Sequence, residues 1–269
     1  MVGGGTQVIA SASEIVVSAV SKRFTARGTA DGVLALDSID LVIAPKEFVA
    51  LLGPSGCGKS TLLNLIAGFT LPTEGVVTQG GATVTAPSSA RTVVFQDYAL
   101  FPWMTLQKNV EFGLKAAGVE PQERAVRAKA YLAKVELAGF EDRYPHEVSG
   151  GMKQRAAIAR ALVVNPTVLL MDEPFGALDA QTRVLMQEQV AALSAQSGCT
   201  ILFVTHSIEE ALFLADRVVV MSPRPGRVRT EIQVTLARPR TPQMRADPWF
   251  VSTVYELWES LKSDWQEKE

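Results

Sequence analysis

Gly53-Pro54-Ser55-Gly56-Cys57-Gly58-Lys59-Ser60-Thr61 places a glycine, four residues and then Gly-Lys-Ser, the spacing of a phosphate-binding P-loop. The chemistry dictates these residue types. Glycines let the backbone curl until consecutive N–H groups point inward at phosphate oxygens. A helix beginning near Lys59 adds the positive end of its dipole. The Lys59 ammonium suits the β- and γ-phosphates of a nucleotide, and the Ser60 hydroxyl suits Mg²⁺. Every residue from Gly53 to Thr61 is a candidate nucleotide contact.

Outward from this loop the pattern is α/β. The apolar run 48–52 leads into it as a strand, and 60–67 leaves it as a helix. Upstream, 15–20 and 39–43 are β-branched and read as strands; downstream, 76–85 and 92–95 read as further sheet. From 106 to about 164 the period turns helical, with Pro121 opening one helix and Ser149-Gly150-Gly151 another. Strand and helix then alternate through 168–171, 181–196, 200–204, 208–214 and 218–221, with 228–236 as a final strand. Such alternation predicts a parallel sheet covered by helices, and the middle stretch predicts an inserted helical subdomain. Residues 238–248 form a linker with Pro and Arg. Beyond it Phe250, Val254, Leu257, Leu261 and Trp265 recur at helical spacing, giving an amphipathic helix that packs on its own domain or meets a partner.

A nucleotide site needs a carboxylate at a strand end, and Val168-Leu169-Leu170-Met171-Asp172-Glu173 supplies two. Asp172 would emerge where ligands of open α/β sheets sit, suited to hold Mg²⁺ through water, with Glu173 suited to polarise an attacking water. The plain alternative is a solvated loop or a helix cap.

Composition limits the rest. The chain has 269 residues, 26 basic and 28 acidic, with a formal net charge of -2, so no global attraction to nucleic acid is expected. Hydrophobic residues at 47% exclude disorder. Cys57 and Cys199 cannot build a disulfide framework, which favours a reducing compartment. Mean hydropathy is +0.15, yet no apolar run approaches the roughly 20 residues of a spanning helix, and Met1 to Gln7 has no signal-peptide pattern. A soluble, cytosolic protein is expected.

Val148-Ser149-Gly150-Gly151-Met152-Lys153-Gln154-Arg155 resembles the signature loop of ATP-binding cassette (ABC) ATPases. By itself Ser-Gly-Gly at a helix start is an anion cradle or a simple N-cap. Other elements similar to the family follow in order. Gln96 resembles the Q-loop glutamine that senses Mg²⁺ and attacking water. Ala177-Leu178-Asp179 resembles the D-loop, His206 the switch histidine at the γ-phosphate, and Phe24 the ring that stacks on adenine. The resemblance covers about residues 14–235. It implies an α/β fold with a P-loop NTPase core of the RecA-like type, an antiparallel β subdomain and the inserted α-helical subdomain. It also implies ATP and Mg²⁺ as cofactors and a head-to-tail dimer, in which Ser149, Gly150, Gly151 and Asp179 of one subunit close on ATP held by the other. Glu173, His206 and Gln96 become catalytic candidates, and Ser60, Gln96 and Asp172 metal candidates. Three residues depart from the pattern: Val148 where Leu is usual, Met152 where Gln is usual, and Lys46 where Gly is frequent. The expected organisation is a loose segment 1–13, an ATP-binding domain 14–240 with the helical subdomain at about 98–165, and a linker with the C-terminal helix at 241–269.

Phe95-Gln96-Asp97-Tyr98-Ala99-Leu100-Phe101-Pro102-Trp103 and Phe203-Val204-Thr205-His206-Ser207-Ile208-Glu209-Glu210-Ala211 are similar to bacterial uptake cassettes of the nitrate/sulfonate/taurine branch. The resemblance implies an ATP-hydrolysing importer subunit for a small anionic solute, peripheral on the cytoplasmic face of the inner membrane. Its partners would be permease subunits and, indirectly, a solute-binding protein, with no nucleic acid. Tyr98, Leu100, Phe101 and Trp103 suit a groove for a permease helix, or else Leu100 and Phe101 pack inside the helical subdomain. A soluble ABC-type ATPase without a transporter is the alternative function, and an exporter cassette a weaker third.

Overall fold

The computed structural model describes residues 13–25 and 32–266, with side chains described up to Lys262. Most of the expected loose segment, and the Trp265 side chain, lie outside the described residues. Two sheets organise the chain. The first is antiparallel, in the order β2-β1-β4-β5, built from β1 (Ile15–Phe24), β2 (Val33–Ile43), β4 (Glu74–Gln79) and β5 (Ala82–Thr83). The run expected as one strand over 76–85 is divided, because Gly80-Gly81 turns it back on itself, both at positive φ.

The second sheet has the order β10-β9-β3-β8-β7-β6, from β3 (Phe48–Leu52), β6 (Arg91–Val94), β7 (Val168–Asp172), β8 (Thr200–Thr205), β9 (Arg217–Met221) and β10 (Val228–Gln233). All neighbours from β9 to β6 are parallel; β10 alone runs antiparallel to β9. The helices are α1 (Lys59–Ala67), α2 (Leu106–Ala116), α3 (Pro121–Lys134), α4 (Gly150–Leu162), α5 (Ala180–Ser197), α6 (Ile208–Leu214) and α7 (Pro248–Gln266).

The central strands are apolar throughout because both faces are covered. Phe48, Ala50, Leu52, Leu169, Met171, Ile201 and Phe203 face one core with α4, α5, α6 and α7. Val49, Leu51, Val168, Leu170, Leu202 and Val204, the alternate residues, face a second core with α1 and the antiparallel sheet. The helices α2, α3 and α4 enclose a third core around Val110, Leu114, Leu132 and Ala159. This is the mixed α/β architecture expected, with a parallel core, an antiparallel β layer and an inserted helical unit.

Phe250, Leu257 and Leu261 of α7 are buried in the first core, so that face of the helix packs on its own domain. Trp258 does not join them. It is 44% exposed, with the Lys262 ammonium 5.2 Å from its ring centroid.

Candidate nucleotide site

The sheet order assembles the site. β3, β8 and β7 lie side by side, with Leu52 opposite Thr205 and Val204 opposite Asp172. Three segments distant in sequence thus end together: the loop after Leu52, the Asp172-Glu173 pair and the Thr205-His206 pair.

A cleft of about 420 Å³ opens there, lined by Ser55, Gly56, Gly58, Lys59, Ser60 and Thr61 of the loop, with Phe24, Val33, Ala35, Glu173 and Arg224 around it. Gly53, Pro54 and Cys57 serve the loop from behind. The carbonyls of Gly53 and Pro54 accept hydrogen bonds from the Lys59 ammonium at 2.8 and 3.0 Å, holding a lysine that is only 4% exposed. The Cys57 side chain is buried in the second core. Gly58 precedes α1 at φ +105°, where a Cβ would also stand 2.6 Å from Leu36 Cδ2, so this position requires glycine. Phe24, half exposed at the end of β1, forms the apolar edge of the cleft, so a core role for it is ruled out.

The Ser60 hydroxyl donates to Asp172 Oδ1 at 2.9 Å. A hydroxyl and a carboxylate converging on one point are hard oxygen ligands of the kind Mg²⁺ takes, so the residues present fit that ion. Burial pushes the Asp172 carboxyl above its ordinary value, while the Ser60 hydrogen bond pulls the other way. Next to it, Glu173 has φ +44°, an uncommon backbone for a residue with a side chain, and its N–H donates to the Val204 carbonyl at 3.0 Å. That turn brings Glu173 Oε2 to 3.1 Å from His206 Nδ1. The hydrogen bond to His206 is the main cause holding the Glu173 carboxyl below its ordinary value, against burial. The same bond is the main cause raising His206 above its own.

Gln96 follows β6, the neighbour of β7, with Val94 opposite Met171. Its amide nitrogen would stand 3.2 Å from a Cβ on Gly176, which puts its side chain against the loop after Glu173. Ser149, Gly150, Gly151 and Asp179 do not line the cleft. Ser149 caps α4, its hydroxyl accepting from the Met152 N–H at 3.3 Å. Asp179 caps α5, accepting from Thr182 N–H at 2.9 Å and from the Thr182 hydroxyl at 2.7 Å. Within one chain Ser149 and Asp179 serve as helix caps, and none of the four residues lines the cleft.

The groove segment divides. Leu100 and Tyr98 pack against the buried cores, and Phe101 meets Phe112 in a tilted ring contact, 4.6 Å between centroids. Trp103 is 70% exposed and borders a groove of about 510 Å³ with Met104, Phe112 and Tyr144.

Sequence reasoning missed several contributors. Val33, Ala35 and Arg224 line the cleft, and apolar or basic residues near strand ends carry no distinguishing pattern. Gly226 supports the loop: its N–H donates to Ala35 O at 2.9 Å, and a Cβ there would sit 2.0 Å from Cys57 O. The turn dipeptide Pro225-Gly226 was the available signal.

A P-loop at the end of a central parallel strand, with a hydroxyl–carboxylate pair and a paired glutamate and histidine at adjacent strand ends, defines a nucleotide-binding ATPase of the P-loop class. The family model for ABC transporter matches residues 36–176, and the chain belongs to the ABC transporter family as an ABC-type ATPase. It is 49% identical to the nitrate import ATP-binding protein NrtD of Synechocystis sp. over 229 residues, 83% of this chain and 86% of that protein. It is 53% identical to the taurine import ATP-binding protein TauB of Yersinia pestis bv. Antiqua over 194 residues, 72% of this chain and 76% of that protein. Among solved structures it resembles the ATP-binding cassette MJ0796, a dimer in a post-hydrolysis state bound to ADP and Pi. The TM-score is 0.72 at 32% identity, covering 83% of this chain and 100% of that one.

Proposed function

We propose that this protein is the ATP-hydrolysing subunit of an importer for a small anionic solute of the taurine, sulfonate or nitrate kind. The observation that carries the ATPase reading is the meeting of Lys59, the Ser60–Asp172 pair and the Glu173–His206 pair at three neighbouring strand ends. The import reading rests on relatives named for nitrate and taurine import. Nothing in the fold favours the alternative of a stand-alone ATPase.

In this reading the inward N–H groups of residues 55–61, the Lys59 ammonium and the α1 dipole receive the phosphates, with Phe24 against the adenine. Ser60, Asp172 and Gln96 would hold Mg²⁺, which supplies charge neutralisation at the β- and γ-phosphates. Glu173 orients and polarises the attacking water, and His206 meets the γ-phosphate while its other nitrogen fixes Glu173. The Ser149 loop and Asp179, which find no place at the cleft of their own chain, act on the nucleotide of a second copy in a head-to-tail dimer. Both sites of such a dimer carry Glu173 and are competent.

Among the described residues no helix is long and apolar enough to cross a membrane, so attachment at the cytoplasmic face of the inner membrane runs through permease subunits. The exposed Trp103 groove is the docking face, and a solute-binding protein completes the system from the other side. The test is uptake of labelled taurine and nitrate by cells with and without the gene, paired with ATP hydrolysis by the purified chain. Loss of one solute's uptake on deletion supports the reading. Unchanged uptake of both, with ATPase activity retained, removes the solute assignment alone.

A further inference from the structure

Behind the strand ends lies a buried carboxylate that the proposed chemistry leaves unused. Glu210 of α6 is 6% exposed, whereas its neighbour Glu209 faces solvent. A buried carboxylate carries a large desolvation cost unless several donors satisfy it. Three side chains from two elements, β8 and α5, surround it: two donate hydrogen bonds and one lies at ion-pair distance. The Thr205 hydroxyl donates to Oε2 at 2.6 Å, and the Gln187 amide of α5 donates to Oε1 at 3.1 Å. The Arg183 Nε, also on α5, lies 3.9 Å from Oε1.

Each partner leads onward. The Thr205 hydroxyl that donates to Glu210 also accepts from the Ser207 N–H at 3.0 Å, closing the two-residue turn that carries His206. Arg183 donates to the Leu178 carbonyl at 3.0 Å, in the loop before Asp179. The second amide atom of Gln187, its oxygen, accepts from Arg245 at 2.6 Å. Arg245 belongs to the 3-10 turn Pro242–Ala246 that precedes α7, and its guanidinium lies 4.2 Å from the Phe213 ring centroid. A continuous polar chain therefore runs from the C-terminal segment through Gln187 and Glu210 to the His206 turn.

We propose that Glu210 is a positioning residue for the ATP site, fixing the turn that presents His206 and tying that turn, through Gln187, to Arg245 of the C-terminal segment. The proposal rests on the assignment of His206 to the nucleotide site. A hydroxyl locked by a buried carboxylate holds one rotamer, and a histidine on a rigid turn meets Glu173 in one geometry. The C-terminal segment thereby gains leverage on turnover without touching nucleotide.

The chemistry of the chain gives a rescue test. Glu210→Gln keeps shape and an acceptor for Thr205 but sets its amide NH2 against that of Gln187. Adding Gln187→Glu restores a donor–acceptor pair and leaves a carboxylate for Arg245. In the full-length protein, Glu210→Gln should lower kcat by about tenfold with ATP affinity kept within about twofold, and the double variant should recover most of that loss. Combined with His206→Ala, Glu210→Gln should cost little more than His206→Ala alone, because both act through one group. Arg245→Met retains packing on Phe213 without the hydrogen bond, and should lower kcat by a smaller factor, about twofold to fivefold. This variant keeps the proposal testable if Glu210→Gln folds poorly. Full turnover in Glu210→Gln and Arg245→Met, or multiplicative losses with His206→Ala, would overturn the proposal while leaving the site reading intact. Full turnover in His206→Ala would overturn both.

Discussion

His206 Nδ1 stands 3.1 Å from Glu173 Oε2, across two neighbouring strand ends that are 33 residues apart in the chain. The contact depends on the positive φ of Glu173, which turns its side chain back toward β8. It sets the protonation of both groups, and this has a measurable consequence.

The raised His206 contributes stability that is complete below the unfolded imidazole value, and that is lost as pH rises through its higher folded value. The depressed Glu173 contributes stability present above the unfolded carboxylate value and lost as pH falls through its lower folded value. The pair is therefore strongest in the interval between those losses. Proton NMR should place the His206 midpoint above about 6.5, the ordinary imidazole value, and Glu173→Gln should bring it down. A midpoint indifferent to that change would mean the two groups do not pair in solution.

Glu173→Gln should lower phosphate release by at least about a hundredfold, the scale of a lost general base. ATP binding survives, since Lys59 and the loop amides are untouched, so size-exclusion chromatography with ATP should show a dimer. Undiminished turnover would remove Glu173 from the chemistry.

Lys59→Ala deletes the buried ammonium that now bonds the Gly53 and Pro54 carbonyls. Loss of a charge-assisted contact to phosphate should weaken ATP binding by about tenfold to a hundredfold. Fluorescent-nucleotide titration reads this directly, and normal affinity would contradict the P-loop assignment.

Trp103 does not line the nucleotide cleft, and its ring is mostly exposed, so Trp103→Ala leaves the ATP contacts in place. ATP affinity should stay within about twofold, while hydrolysis in the assembled transporter loses its dependence on solute. Transport at the original rate would place the permease contact elsewhere.

Gly226→Ala tests the support behind the P-loop. The added methyl would meet Cys57 O at 2.0 Å and Met221 Cε at 3.1 Å. Backbone must yield, at a cost of about 1–3 kcal/mol in denaturant unfolding, with weaker ATP binding as the loop shifts. Unchanged stability would show that the loop has slack behind it.

The sequence carried the local chemistry because local chemistry is written in short spacings. The glycines and Lys59-Ser60 of the P-loop, the acids after 168–171 and the Ser149 cap of α4 each follow from a few consecutive residues, and α1, β7 and α4 lie close to where the sequence places them, whereas β2 begins six residues before the expected 39. Burial of the central strands on both faces was legible too, since a strand apolar at every position must be covered on both sides. Neighbourhood was not. Only the order β3-β8-β7 brings 53–60, 172–173 and 205–206 to one edge, and that order arises from pairings between distant residues, Phe48 with Ile201 and Val168 with Thr200. The pattern also fails to separate Glu209 from Glu210, or Trp103 from Phe101: adjacent or nearly adjacent residues of like chemistry, one more covered than the other according to what packs across from them. Residue spacing determined that this chain binds phosphate at a strand end. Tertiary packing decided which carboxylate is buried behind the histidine and which aromatic faces outward, because burial depends on a surface contributed by distant elements.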